Sequence, residues 1–254
     1  MVTYAFIAAN IFVFIVLQDA GVETNRFTWA WSTVPEEILT GKDLDETGQP
    51  QRFAPHPVTG RPMPVPPLEP TPISVYLTLL MSMFMHGSWA HLAGNMLFLW
   101  IFGDNVEDYL GHLRYIVYYV ICGIVASLAH VGTAYVLQQH LRIPSLGASG
   151  AISGVLGGYL LLFPQKRVTV ILFRFLTEVP AFVAIGIWFL FQLINGLGML
   201  GDSRGGGVAY GAHIGGFIAG MGLVIPFSVG QNEPGWRRKF EQQPRRIIRR
   251  PPWA

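Results

Sequence analysis

Two polar side chains that could act as nucleophile and base lie in separate apolar segments of the sequence. Ser149 stands in the stretch Gly-Ala-Ser-Gly-Ala, and His213 stands in Ala-His-Ile-Gly-Gly. A serine hydroxyl becomes an effective nucleophile when an imidazole within hydrogen-bond reach accepts its proton. Ionisable residues in membrane segments are costly and are functional by default. The pair therefore predicts a Ser–His dyad, provided that the two segments meet.

His91 and Asn95 are a second polar pair, in an earlier apolar segment. Four residues separate them, so both side chains lie on one face of a helix. Each can donate a hydrogen bond, which is what an oxyanion hole requires. Taken alone, the pair could equally be a polar contact between helices.

The residues around Ser149 also favour close packing. Gly150, Gly154 and Gly158 repeat every four residues, which is typical of helices whose backbones approach each other. Gly216 and Gly220 lie on the same helical face as His213. A packing role is compatible with a catalytic one, because a serine at a helix start also has unpaired backbone N–H groups beside it.

The composition indicates a membrane protein. Hydrophobic residues make up 51% of the 254 residues and charged residues only 13%, with a mean hydropathy of +0.41. Several apolar runs approach the roughly 20 residues that a helix needs to cross a bilayer. We therefore predict an all-α, polytopic bundle of six membrane-spanning helices. The predicted spans are Val2–Leu17, Ser88–Phe102, Tyr115–Leu137, Gly147–Phe163, Val179–Gly198 and Gly207–Phe227.

The chain divides into four parts. Residues 1–18 are the first span, and residues 19–72 are an extracytoplasmic loop, rich in proline, extended and partly disordered. Residues 73–227 hold an interfacial or re-entrant lead-in from Ile73 to Met85, followed by spans two to six. Residues 228–254 are a basic cytoplasmic tail that could contact anionic lipid headgroups.

The distribution of lysine and arginine predicts the orientation of the bundle. Basic residues follow the fourth and sixth spans, so those ends and both chain termini are predicted to be cytoplasmic. Spans two, four and six then run from outside to inside. His91, Ser149 and His213 all lie in the first parts of these spans, so they share one depth below the outer surface.

Other chemistries find little support in the sequence. The single cysteine, Cys122, excludes an intramolecular disulfide. No His-Glu-x-x-His motif is present, and Asp104 and Asp202 would lie at opposite membrane faces, so neither a metalloprotease nor an aspartyl protease is favoured. We predict no metal, no cofactor and no nucleic-acid partner.

Three further histidines are given a local role. His86 and His130 are interpreted as local polar contacts, and His112 as part of the turn after span two.

Three motifs in order resemble the hallmark motifs of the rhomboid family. They are His91-Leu-Ala-Gly-Asn95 on span two, Gly147-Ala-Ser149-Gly on span four and Ala212-His213-Ile-Gly-Gly216 on span six. The stretch Phe102-Gly-Asp-Asn-Val-Glu-Asp108 also resembles bacterial members, and the similarity covers Ser74 to Phe227.

The resemblance implies a six-helix intramembrane serine protease of the cell membrane, such as a bacterial inner membrane. Ser149 would be the nucleophile and His213 the base, without a catalytic carboxylate. The Ser149 N–H and the side chains of His91 and Asn95 would hold the oxyanion. Transmembrane proteins in the bilayer would be the substrates.

The sequence departs from the family pattern in two places. Some members have a tyrosine four residues after the nucleophile, packed on the histidine, and here that position is Ser153. Trp188 or Tyr210 could replace that ring. A tryptophan–arginine pair found in the first loop of some members is also absent. The alternative function is a non-catalytic, rhomboid-like protein that binds membrane clients, which should have lost Ser149 or His213.

Overall fold

The computed structural model describes residues 1–22, 25–50, 52–55, 62–65, 67–172, 175–198 and 209–231. These residues are mainly helical, which confirms the predicted fold class, although two short hairpins add strands that an all-α prediction did not include. The topology prediction also used Arg174, the segment around Asp202 and the basic tail. Arg174, Asp202 and residues 232–254 lie outside the described residues.

The elements follow the apolar runs closely. The α-helices are α1 (Val2–Phe12), α2 (Arg26–Trp31), α3 (Pro35–Thr40), α4 (Thr78–Met81), α5 (Trp89–Phe98), α6 (Asp104–Leu110), α7 (His112–Leu137), α8 (Ser149–Leu162), α9 (Ala181–Gly198) and α10 (Tyr210–Phe227). Two antiparallel hairpins pair β1 (Arg52–Pro55) with β2 (Pro62–Val65) and β3 (Arg167–Leu172) with β4 (Phe175–Pro180). A π-helical turn extends α1 over Val13–Leu17, and another joins α5 to α6 over Leu99–Gly103.

Two of the described helices, α7 and α10, are long and apolar enough to cross a membrane by length and composition. Shorter apolar helices cover Val2–Leu17, Val75–Phe84, Ser149–Leu162 and Ala181–Gly196. Several large apolar side chains point away from the bundle, among them Val136, Ile187 and Ile218. Such outward apolar faces suit a lipid environment. A helical membrane bundle is consistent with these features, and the number of six spans stays a prediction.

Helix α8 forms the centre of the bundle. All of its residues from 150 to 159 are buried, and it packs on α7, α10 and the π-helical turn after α5. Its glycine content is unfavourable for an isolated helix, so burial must hold it in helical form.

The backbones of α8 and α10 are in direct contact. A Cβ atom at Gly220 would overlap the carbonyl oxygen of Gly154, and one at Gly216 would overlap that of Gly150. The Tyr118 hydroxyl of α7 donates to the carbonyl of Gly154 at 2.6 Å and lies 3.1 Å from that of Gly220. The three helices are therefore joined at one buried point.

The first helix is anchored by a buried carboxylate of α6. Glu107 accepts hydrogen bonds from the backbone N–H groups of Val2 and Thr3, each at 2.7 Å, where the helix start leaves these donors without intrahelical partners. His112 Nδ1 lies 2.6 Å from the same carboxylate. His112, predicted in the turn after span two, is the first residue of α7.

The loop after α1 is more ordered than predicted. Its described residues form α2, α3 and the β1–β2 hairpin, so the prediction of an extended segment is wrong for the two helices, whereas the strands of the hairpin are extended. Thr33 and Ser145 exchange backbone hydrogen bonds of 3.0 and 2.8 Å, and Arg142 donates to both carboxylate oxygens of Glu36 at 2.6 and 3.0 Å. The loop is thus fastened to the segment that leads into α8.

Glu37 is a buried carboxyl group in this loop, with a relative exposure of 1%. One oxygen accepts the Leu44 N–H at 3.0 Å, and the other has no partner among the described residues. Burial, together with the nearby carboxylates of Asp43, Glu36 and Glu46, raises the pKa of Glu37 to about 7, although the Leu44 hydrogen bond opposes the shift.

The glycine contact between α8 and α10 yields a test of packing. We expect Gly220→Ala to lower the free energy of unfolding by roughly 1–3 kcal/mol, because the new methyl group meets backbone that has no room to move. Gly222→Ala is the matched control, since a Cβ atom there meets nothing within 4 Å. Thermal unfolding in detergent measures both variants. Equal melting temperatures for the two would contradict the described contact.

The buried carboxyl of Glu37 yields a test of pH dependence. Its folded pKa exceeds its ordinary value of 4.5, so the native state binds more protons than the unfolded state between pH 4.5 and 7, and stability falls as the pH rises through that window. We expect Glu37→Gln to be more stable than the wild type by at most about 3 kcal/mol at pH 8 and equally stable at pH 4.5. The exposed Asp19 provides the control variant Asp19→Asn, which removes a carboxylate that is not buried.

Candidate active site

Ser149 is the first residue of α8, and glycine two residues earlier makes space beside it. Gly147 has a φ of +129°, a conformation that L side chains rarely adopt, and a Cβ atom there would lie 2.9 Å from Cε1 of His91. A Cβ atom at Gly147 would also lie 3.7 Å from Ser149 Oγ, so the absence of a side chain there leaves space between the imidazole of His91 and the serine. The first backbone N–H groups of α8 have no intrahelical acceptor, so they are available to a negatively charged oxygen.

His213 lies in the first turn of α10, where the close approach of α8 and α10 brings it to the serine. Its Nε2 atom is 2.8 Å from Ser149 Oγ. This is the distance of a hydrogen bond between the hydroxyl and the imidazole. The contact joins residues 64 positions apart, and it supplies the geometry that a base-activated nucleophile needs.

The other ring nitrogen of His213 contacts a residue that the sequence reasoning missed. Nδ1 lies 2.9 Å from the side-chain oxygen of Gln192 on α9. Trp188, one of the rings predicted to support His213, lies on the same helix with its centroid 6.2 Å away and tilted by 36°. A glutamine within a largely apolar run was the signal that could have identified Gln192, although Asn195 on the same helix gives the same signal.

Ser153 does not replace the family's tyrosine as a partner of the histidine. Its hydroxyl donates to the carbonyl of Ser149 at 2.6 Å, one turn back along α8. The hydrogen bond is therefore local to the helix, and the described contacts of His213 come from Ser149, Gln192 and Trp188.

His91 and Asn95 lie on the same side of α5, where Ser88 accepts the His91 N–H at 3.2 Å and caps the helix start. Nδ2 of Asn95 is 2.9 Å from Nε2 of His86. The rings of His86 and His91 meet edge to face with centroids 5.1 Å apart. His86 was predicted to be a local polar contact, and the residue it contacts is the predicted oxyanion-hole asparagine.

His86 is itself held by a buried glutamine from the end of the first helix. The His86 backbone N–H donates to Gln18 Oε1 at 2.8 Å, and Gln18 Nε2 donates to the His86 carbonyl at 3.1 Å. Both residues have no exposed surface. Asn95 is therefore oriented through a buried chain of contacts that begins outside its own helix.

The four predicted site residues line one cavity of about 710 Å³. The cavity also reaches the segment before α8 and two further histidines. Its other polar lining residues include Ser88, His130, His140, Ser145 and Ser153. Its size lies in the range of ligand-binding pockets. In the part of the chain that the structure describes, no three His, Cys, Asp or Glu residues form a group that could hold a metal ion.

The chain is similar to proteins of one family. The family model described as the Rhomboid domain matches residues 74–229, which is more than half of the chain. Rhomboid protein 1, mitochondrial, from Saccharomyces cerevisiae is 33% identical over 146 residues, 57% of this chain and 40% of that protein. Rhomboid protease GluP from Bacillus subtilis is 29% identical over 224 residues, 88% of this chain and 35% of that protein.

A human protein, presenilin-associated rhomboid-like protein, mitochondrial, is 34% identical over 94 residues, 37% of this chain and 24% of that protein. The chain spans less than half the length of each of these relatives. Because two of the three are mitochondrial, the similarity does not restrict the chain to a bacterial membrane.

Proposed function

The chain belongs to the rhomboid family, and we propose that it is a serine endopeptidase that hydrolyses peptide bonds in or beside transmembrane segments of other proteins. The observation that carries the proposal is the 2.8 Å contact between Ser149 Oγ and His213 Nε2 in a cavity shared with His91 and Asn95. Nucleophile, base and candidate oxyanion donors thus face one volume.

In the first half of the reaction, Ser149 Oγ attacks the carbonyl carbon of the scissile peptide while His213 Nε2 takes the hydroxyl proton. The negative charge that develops on the carbonyl oxygen is stabilised by the Ser149 N–H and by the side chains of His91 and Asn95. His213 then gives its proton to the leaving amine, the C–N bond breaks, and an acyl-enzyme ester remains on Ser149.

In the second half, a water molecule replaces the amine. His213 accepts a proton from the water as its oxygen attacks the ester carbonyl, and the same donors stabilise the second oxyanion. The proton returns to Ser149 Oγ as the C–O bond breaks and the carboxylic acid product leaves. Every proton in these two steps passes between Ser149, His213, the leaving amine and the attacking water.

A non-catalytic protein that binds membrane clients is the alternative function. Some relatives are named only as rhomboid-like, so family membership alone does not decide the matter. A pure binding protein has no use for a serine hydroxyl hydrogen-bonded to an imidazole at 2.8 Å. That contact favours the protease.

The proposed protease would act in the bilayer with a defined orientation. Substrates would be transmembrane proteins that enter the cavity from the bilayer, and both termini of the chain would face the cytoplasm. The basic residues at 237–250 would contact anionic headgroups on that side by electrostatic attraction.

The first test targets the dyad. We expect the purified protein in detergent to react with a fluorophosphonate probe at Ser149 and to cleave a model transmembrane substrate. Ser149→Ala and His213→Ala should each lower cleavage by more than about 1,000-fold, because nucleophile and base act as one unit. Ser228→Ala is the matched control, since that hydroxyl donates to the Val224 carbonyl at the end of α10, far along the helix from His213. Cleavage at the wild-type rate by Ser149→Ala would rule the dyad out.

The second test targets the oxyanion donors. His91→Ala and Asn95→Ala should each lower kcat by roughly 100- to 1,000-fold with KM nearly unchanged, because these donors act on charge that exists only in the transition state. Asn105→Ala serves as control, since Asn105 bonds to the Ile101 carbonyl and does not line the cavity. A rise in KM with unchanged kcat would assign the pair to substrate binding instead.

A further inference from the structure

We infer that Gln192 is a positioning residue that holds the His213 imidazole in the tautomer with hydrogen on Nδ1, so that Nε2 is free to accept the Ser149 proton. The inference rests on the proposed function of the same site. It identifies a third member of the catalytic arrangement, placed on a helix that carries neither the nucleophile nor the predicted oxyanion donors.

The contact itself is short and buried. Gln192 has a relative exposure of 6%, and its side-chain oxygen is 2.9 Å from His213 Nδ1. Burying an amide without hydrogen bonds costs free energy, so the Gln192 side chain is held in a position where it finds a hydrogen-bond partner. Gln192 lies on α9 and His213 on α10, so the contact also ties the two helices together.

The tautomer follows from the hydrogen-bonding capacity of each group. A neutral imidazole has one N–H donor and one acceptor nitrogen. The carbonyl oxygen of Gln192 can only accept, so Nδ1 must carry the hydrogen. Nε2 is then the acceptor, which matches the direction required for proton transfer from Ser149. The opposite tautomer would place a hydrogen between Nε2 and Oγ and block that transfer.

Three residues on one face of α9 hold this face toward α10 and so orient the Gln192 amide toward His213. Trp188 packs against the His213 ring one turn before Gln192. Gly196 lies one turn after it, and a Cβ atom there would lie 3.3 Å from Tyr210 and Ile214 of α10. The spacing of four residues places all three toward α10. The amide is therefore carried on a face that already packs against the histidine's helix.

A neutral amide suits this position better than a carboxylate. A carboxylate in a low-dielectric site carries a large desolvation cost. The amide oxygen orients the ring by its dipole and also stabilises the Nδ1–H of the imidazolium that forms during catalysis, although more weakly than a full charge does. The Gln192 amide thus orients the His213 ring without placing an ionised carboxylate beside it.

The kinetic test compares three variants of α9. We expect Gln192→Leu to lower kcat by roughly 10- to 100-fold with KM unchanged, because it removes the acceptor and keeps the volume. Gln192→Glu restores an acceptor and should recover activity, with the acidic limb of its pH–rate profile at higher pH than in the wild type. Asn195→Leu is the matched control, since that amide bonds to the Phe191 carbonyl of its own helix and should leave kcat unchanged.

The spectroscopic test needs no turnover. In protein labelled with ¹⁵N-histidine, the His213 resonances are assigned by their loss in His213→Ala. The wild type should show the Nδ1–H tautomer, and Gln192→Leu should show a mixture with the Nε2–H form. A wild-type Nε2–H tautomer, or an identical spectrum in Gln192→Leu, would overturn the inference.

The two readouts separate this inference from the proposed function. If the wild type cleaves substrate and Gln192→Leu cleaves at the same kcat, the inference fails and the protease stands. If the wild type neither cleaves nor reacts with the probe, the protease proposal fails, and the tautomer spectrum alone then decides whether Gln192 orients the ring.

Discussion

The site depends on one constraint, the backbone contact between α8 and α10. Because Gly154 and Gly220 have no side chains, the two helices meet at the distance of their own backbones, and Tyr118 closes the contact from α7. Only at this separation does an imidazole on α10 reach a hydroxyl at the start of α8. Glycine therefore lowers the helix propensity of α8 and, by the same property, makes the dyad geometry attainable.

Around that contact, buried neutral amides orient the polar groups. Gln192 contacts the base, while Gln18 holds His86, which in turn contacts Asn95. Each amide offers both donor and acceptor capacity without a net charge, which suits an environment where charge is expensive. The geometry of the site is thus maintained from α9 and from the residue that follows the π-helical turn after α1. Neither of these elements carries a residue predicted to act on the substrate.

The first loop stabilises the segment that leads into α8. Through Thr33 and Glu36 it holds the backbone of Ser145 and the guanidinium of Arg142, only a few residues before Ser149. This segment also lines the cavity. The loop is therefore an anchor for the start of α8 and for the segment that lines the cavity, in addition to a connection between helices.

The sequence by itself determined the helical class and the approximate extents of the apolar helices, and it marked Ser149 and His213 as candidate residues, because hydropathy and polar residues in apolar runs are local signals. Their contact depends on the approach of α8 to α10, which is a property of the tertiary structure. The sequence also predicted His91 and Asn95 beside them. Only the tertiary structure identified Gln192 as the partner of His213 and ordered the first loop. The reason is physical, since which face of α9 meets α10 depends on packing between segments about 20 residues apart, and no local pattern encodes it.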